Sequence, residues 1–151
     1  MIIGLIFHIL GAIVWVGGMF FAYVVLRPVA GRMEPGPRLA LWREVFARFF
    51  PWVWASVVGL LASGYGMLFL GLGGFAAAGV HVHAMQAIGL IMTALFLHLY
   101  FAPWRRLRRA LDQGDQAMAA RQLGQVRTIV LVNLTLGLIT AAIGASGRFW
   151  G

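Results

Sequence analysis

Three long blocks of this sequence carry no charge, and that constrains the fold more than any motif does. Residues 1–26, 49–104 and 128–147 contain no Asp, Glu, Lys or Arg. A helix needs about 20 apolar residues to cross the hydrocarbon core of a bilayer. The first and last blocks therefore each hold one span, and the middle block holds two. Only 11% of the 151 residues are charged and 62% are hydrophobic, whereas a soluble domain carries about 25% charged residues. The expected fold is an all-α membrane protein with spans over about 2–26, 48–70, 80–102 and 128–147. The run "LGLGGFAAAG" (70–79) marks the turn inside the middle block. Short connections favour an up-down-up-down bundle of four transmembrane helices, with residues 1–151 as a single membrane domain.

Finer boundaries follow from the breakers. Pro28 is expected to end the first helix and Pro103 the third. Residues 39–47 read as an amphipathic interfacial helix. Residues 104–127 read as an extension of the third helix, a turn at Gly114 and a short polar helix leading into the fourth. The first block lacks a positive leading stretch and outruns an ordinary signal sequence, so it is expected to be retained as a helix.

The net charge of +8 comes entirely from arginine. Arg27, Arg32, Arg38, Arg43 and Arg48 lie in or beside the first polar loop, and Arg105, Arg106, Arg108, Arg109, Arg121 and Arg127 lie in the second. Only Arg148 stands elsewhere. Short arginine-rich loops stay on the cytoplasmic side. Both termini and the 71–79 turn are then outside, which is the periplasm if this is a bacterial inner-membrane protein. These arginines read as topology determinants and lipid head-group contacts, with no nucleic-acid partner implied. The four acids, Glu34, Glu44, Asp112 and Asp115, fall on the same side. A proton- or sodium-coupled transporter built on an intramembrane carboxylate is thereby disfavoured. With no cysteine, disulfides, thiolate metal sites and covalent c-type haem attachment are excluded.

The groups inside the spans that can change charge near neutral pH are histidines. His8 lies roughly 10 Å below the outer end of the first helix and His83 roughly 6 Å below the outer end of the third. Those helices run in the same direction and are diagonal neighbours in a simple bundle. The two imidazoles can therefore face each other at similar depth, as a bis-histidine haem b requires and as a copper or zinc ion also accepts. His98 lies roughly 22 Å further down, too far to join that site, and is a candidate for a second one. His81 and His83 point about 200° apart if the stretch is helical, and to the same side, able to hold one ion, if it is extended; a helix start near Val80 is the expected case. Gln86, one turn below His83, is placed to orient it.

Small residues share faces with these groups. Gly4, His8, Gly11, Trp15 and Gly18 lie on one side of the first helix, and Trp52, Ser56, Gly59, Ser63 and Gly66 recur on the second. Asn133, Gly137, Thr140, Gly144 and Gly147 repeat the pattern on the fourth. Such stripes let helix backbones approach closely in lipid. On the first helix they also read as the wall of a slot for a flat cofactor.

The stretch "FHILGAIVWVGGMFFAYVVLRP", with His8, Trp15, Gly17 and Gly18 in an H-x-x-G/A-x-x-x-W-x-G-G pattern, resembles the CopD-like family of four-helix bacterial membrane proteins. The second helix, "FARFFPWVWASVVGLLASGY", and the arginine-rich end of the third extend the resemblance over nearly the whole chain. That family is named for copper resistance and is more distantly similar to HemJ-type membrane protoporphyrinogen oxidases. The sequence departs from the oxidase-like pattern after Gly18, and it contains no lysine. Its seven methionines are dispersed, with no Met-x-x-x-Met ladder.

Three functions are compatible with these features. The first is a b-type haem protein with His8 and His83 as axial ligands. It would carry electrons between a membrane donor such as quinol and an external or periplasmic redox partner. Gly11, Trp15 and Gly18 would then pack on the macrocycle, and Arg148 would pair with a propionate. The second is copper binding through His8, His81 and His83, for tolerance or uptake. The third is a structural subunit, docking as a homo-oligomer or in a larger membrane complex through its small-residue faces.

Overall fold

A computed structural model describes residues 1–150, the side chain of Arg148 excepted. It is helical, with no strand among the described residues. Helix α1 runs over Ile2–Ala30. It is α-helical to Phe20, makes a π-helical turn over Phe21–Leu26 and closes with Arg27–Ala30. Pro28 does not end it, contrary to expectation. The π-helical turn just before it, whose last step bonds Arg27 N–H to the Ala22 carbonyl, shifts the hydrogen-bond ladder where the proline supplies no N–H.

Helix α2 is one rod over Pro35–Leu70, so the expected interfacial helix and the second span are continuous. The reason lies in the buried residues Leu39, Trp42, Phe46, Phe50, Val53 and Val57. Their three- and four-residue spacing passes unbroken through the boundary that the charges Arg43, Glu44 and Arg48 suggested. A turn follows in which Gly73 (φ 77°) and Gly74 (φ 89°) take the left-handed backbone open to glycine.

Helix α3 covers Val80–Phe101, and after a break at Ala102 the short helix α4 covers Pro103–Asp112. Gly114, at φ 72°, turns the chain into helix α5, Gln116–Ser146. Asp115 caps that helix by accepting from the Met118 backbone N–H at 2.9 Å. The short polar helix expected before the fourth span is the first part of α5.

Four helical segments are long and apolar enough to cross a membrane, α3 being counted together with α4. The chain is thus a multi-pass membrane protein. Helix α1 packs on α2 and on α5, α3 packs on α5, and α4 folds back along α5. The lipid-facing side of α1 is legible in its exposed Ile2, Ile6, Ile9 and Ile13.

The core is concentrated in the arginine-rich half. Phe50 lies at its centre, stacked on Phe46 at 5.1 Å and edge-on to Trp104 at 5.2 Å and Phe96 at 5.9 Å. Trp15 of α1 meets Phe96 of α3 edge-on at 6.1 Å, closing the diagonal of the bundle there. The other half is more open. None of residues 1–14 is buried, and between 58 and 91 only Leu68 is.

Candidate metal-binding seam

The contact between α1 and α2 is built from small residues on both helices. A Cβ on Gly4 would lie 3.3 Å from Met67 Cγ, one on Gly11 would lie 3.2 Å from Leu60 Cγ, and one on Gly18 would collide with the Phe49 ring. The glycine face of α1 is therefore filled by side chains of α2. On α2, Gly64 makes the reciprocal concession, since a Cβ there would lie 3.3 Å from His8 Cε1. The absent side chain is what lets an imidazole lie in the seam.

His8 is half-buried, with Nδ1 3.0 Å from Ser63 Oγ. Ser63 donates its own hydroxyl hydrogen to the Gly59 carbonyl, one turn back, at 2.6 Å. A serine has a single hydrogen to give, so toward His8 it acts as acceptor and Nδ1–H is the donor. In the neutral imidazole that assignment leaves Nε2 as the nitrogen with a lone pair. Metal-ligating histidines are commonly held in this way, with one ring nitrogen hydrogen-bonded and the other meeting the metal.

Sulfur lies on the same seam. Met67 is one turn beyond Ser63 and packs on Gly4, which is one turn before His8. At the end of the seam, Met1 Sδ reaches within 2.8 Å of where a Gly71 Cβ would stand, next to the Met67 carbonyl. The two methionines are 66 positions apart in sequence, yet both lie along the α1–α2 seam, Met67 against Gly4 and Met1 against Gly71. Dispersal along the chain hid them, because the relevant ladder runs across two helices.

The other histidines are differently placed. Helix α3 begins at Val80, so His81 and His83 point to different sides. His81 is half-buried between Gly79 and Gly147, 6.3 Å from the Trp150 ring. His83 is exposed and stacks on Phe75 at 6.3 Å. Gln86 donates to the Tyr65 hydroxyl at 3.1 Å. His98 is exposed on α3 near the arginine-rich end. Arg148, expected to meet a haem propionate, has its side chain outside the described residues. Among the described residues, no three of His, Asp and Glu come together as a metal-binding group.

A model of the family described as copper resistance protein D matches residues 43–146, more than half the chain. The chain belongs to the CopD family. The match takes in α2 from Arg43 onward, all of α3 and α4, and α5 to its last residue. Ser63, Gly64 and Met67 thus lie within the CopD-matched region, while His8 on α1 lies before it. No curated protein and no solved structure matches the chain. The expected likeness to HemJ-type oxidases is not represented among these matches.

Membership of the CopD family links the chain to copper resistance and carries nothing for haem. The geometry adds no support for haem either. Gly11 and Gly18 face α2 side chains, and Trp15 packs on Phe96. His8 is engaged with α2, whereas His83 stacks on the turn before α3.

Proposed function

We propose that this CopD-family chain handles copper as its cargo within the membrane, for tolerance or uptake, and that His8 is the residue through which copper engages the α1–α2 seam. The observation that supports this most directly is the Ser63 hydrogen bond, which holds the His8 ring in the seam through Nδ1. An imidazole with thioethers nearby is a soft donor set suited to Cu(I), and Met67 and Met1 lie along the same seam. His81 and His83, at the start of α3, are the groups that would meet copper first from the outer side. The orientation that goes with this reading places the arginine-rich loops in the cytoplasm of a bacterium and both chain ends in the periplasm.

The test is made in cells. Bacteria expressing the chain are grown in graded copper, and cellular copper is measured by elemental mass spectrometry. A change in copper content relative to empty-vector cells, abolished in His8→Ala at equal membrane abundance, is the expected result. Identical copper content in expressing and empty-vector cells would overturn the proposal.

A further inference from the structure

At the end of the molecule opposite His8, α1, α2 and α5 enclose a slot lined by Tyr23, Arg27, Trp42, Phe46, Arg127 and Val130. Its free volume is about 10 Å³, room for a water-sized atom. Arg127 lays its guanidinium over the Trp42 ring, 5.3 Å from the centroid. Arg127 Nε and Nη2 are buried there without a hydrogen-bond partner, and so is Trp42 Nε1. Buried donors are almost always satisfied, so three unsatisfied N–H groups on two touching side chains point to something that accepts from them.

The charge around the slot indicates what that is. Arg27 and Arg38 both repel Arg127, and the one ion pair among the described residues, Arg43 with Asp112, belongs to a different group of side chains. Arg27, Arg38 and Arg127 thus act on one another, and none of the three is in an ion pair among the described residues. Nε–H and Nη2–H lie along one edge of the guanidinium and donate in parallel, which matches two oxygens of a phosphate. The indole N–H supplies a further donor.

The wall of the slot also explains the π-helical turn, a feature that recurs at functional sites. Its last residues bond with a five-residue step, Arg27 N–H to the Ala22 carbonyl, and this brings Tyr23 and Arg27 onto the slot. Arg27 folds over the Tyr23 ring at 4.6 Å and is exposed. Arg27 is the exposed part of the slot's wall, so admitting anything larger than a water requires this side chain to move.

We propose that Arg127 and Trp42, flanked by Arg27 and Arg38, bind a phosphate group, carried either by an anionic phospholipid head or by a soluble phosphate. Two phosphate oxygens accept from the Arg127 fork, a third accepts from Trp42 Nε1–H, and Arg27 swings off Tyr23 to close over the group. Nothing in this site depends on copper, so the two proposals stand or fall separately.

The test uses the full chain and three variants. Arg127→Lys keeps the charge but loses the fork, and Trp42→Phe keeps a ring but loses the N–H. Arg121→Lys, an exposed arginine on the same helix, is the control. Native mass spectrometry from bilayer discs of phosphatidylcholine with phosphatidylglycerol reports retained lipid. Thermal unfolding in detergent, with and without inorganic phosphate, reports the soluble source. Preferential retention of phosphatidylglycerol, weakened about tenfold in both site variants but not in the control, supports the lipid form. Stabilisation by inorganic phosphate, lost in the same two variants, supports the soluble form. If wild type shows neither response, or if both folded site variants respond as wild type does, the proposal is overturned.

Discussion

Ser63 stands 3.0 Å from His8 Nδ1 and has already given its hydrogen to the Gly59 carbonyl. The serine is thus placed as an acceptor for the imidazole, and through it α2 holds the ring of a histidine on α1 by Nδ1. Partners of this kind are worth about 10- to 100-fold in metal affinity where they have been removed. Ser63→Ala should weaken Cu(I) binding by about tenfold while leaving helix content unchanged. Competition with a coloured Cu(I) chelator, alongside circular dichroism, reads both.

Gly17 and Gly18 are adjacent yet should respond oppositely to the same substitution. A Cβ on Gly18 meets the Phe49 ring, whereas one on Gly17 meets nothing within 4 Å. Gly18→Ala is expected to lower stability by about 1–3 kcal/mol, the usual cost of overpacking. Gly17→Ala should be neutral or slightly stabilising, by up to about 1 kcal/mol from helix propensity. Thermal unfolding of the two variants in one detergent makes the comparison.

Phe50 is the aromatic residue on which the arginine-rich half converges, with ring contacts to Phe46, Phe49, Phe96, Tyr100 and Trp104. Phe50→Ala removes all of them and should cost about 3–5 kcal/mol. The measurable consequence is a large fall in unfolding midpoint, with loss of near-ultraviolet circular dichroism before helix content falls.

The ion pair between Arg43 and Asp112, at 2.7 Å, invites a stronger claim than it supports. Its side chains are 38% and 58% exposed, and surface pairs of this kind contribute about 0–1 kcal/mol. Asp112→Asn should therefore shift the unfolding midpoint far less than Phe50→Ala, and the small effect should fade as salt is raised.

Much of the fold was legible from where the charges stop. The starts of α3 and the turns at Gly73, Gly74 and Gly114 follow from apolar runs and breakers, and so do the four spans. The extent of α2 was not. Arg43, Glu44 and Arg48 suggested an interfacial segment, but burial of Trp42, Phe46 and Phe50 carries one helix straight through Pro51. At the candidate site, His8 stood out because a histidine in an uncharged span needs a reason. Its partner did not, because Ser63 and Gly64 read as packing residues until the α1–α2 register is known. Met1 and Met67 were missed for the same reason: spacing within one helix cannot reveal a ladder built from two.

The most direct test of the copper proposal is a Cu(I) titration of the purified protein against a competing chelator, with X-ray absorption of the loaded sample, in wild type, His8→Ala and Met67→Leu. A tight site with nitrogen and sulfur scatterers, lost in His8→Ala and weakened in Met67→Leu, is the expected result. Copper binding unchanged in His8→Ala would contradict it. So would a preparation that takes up no copper and shows the absorption bands of a bound haem.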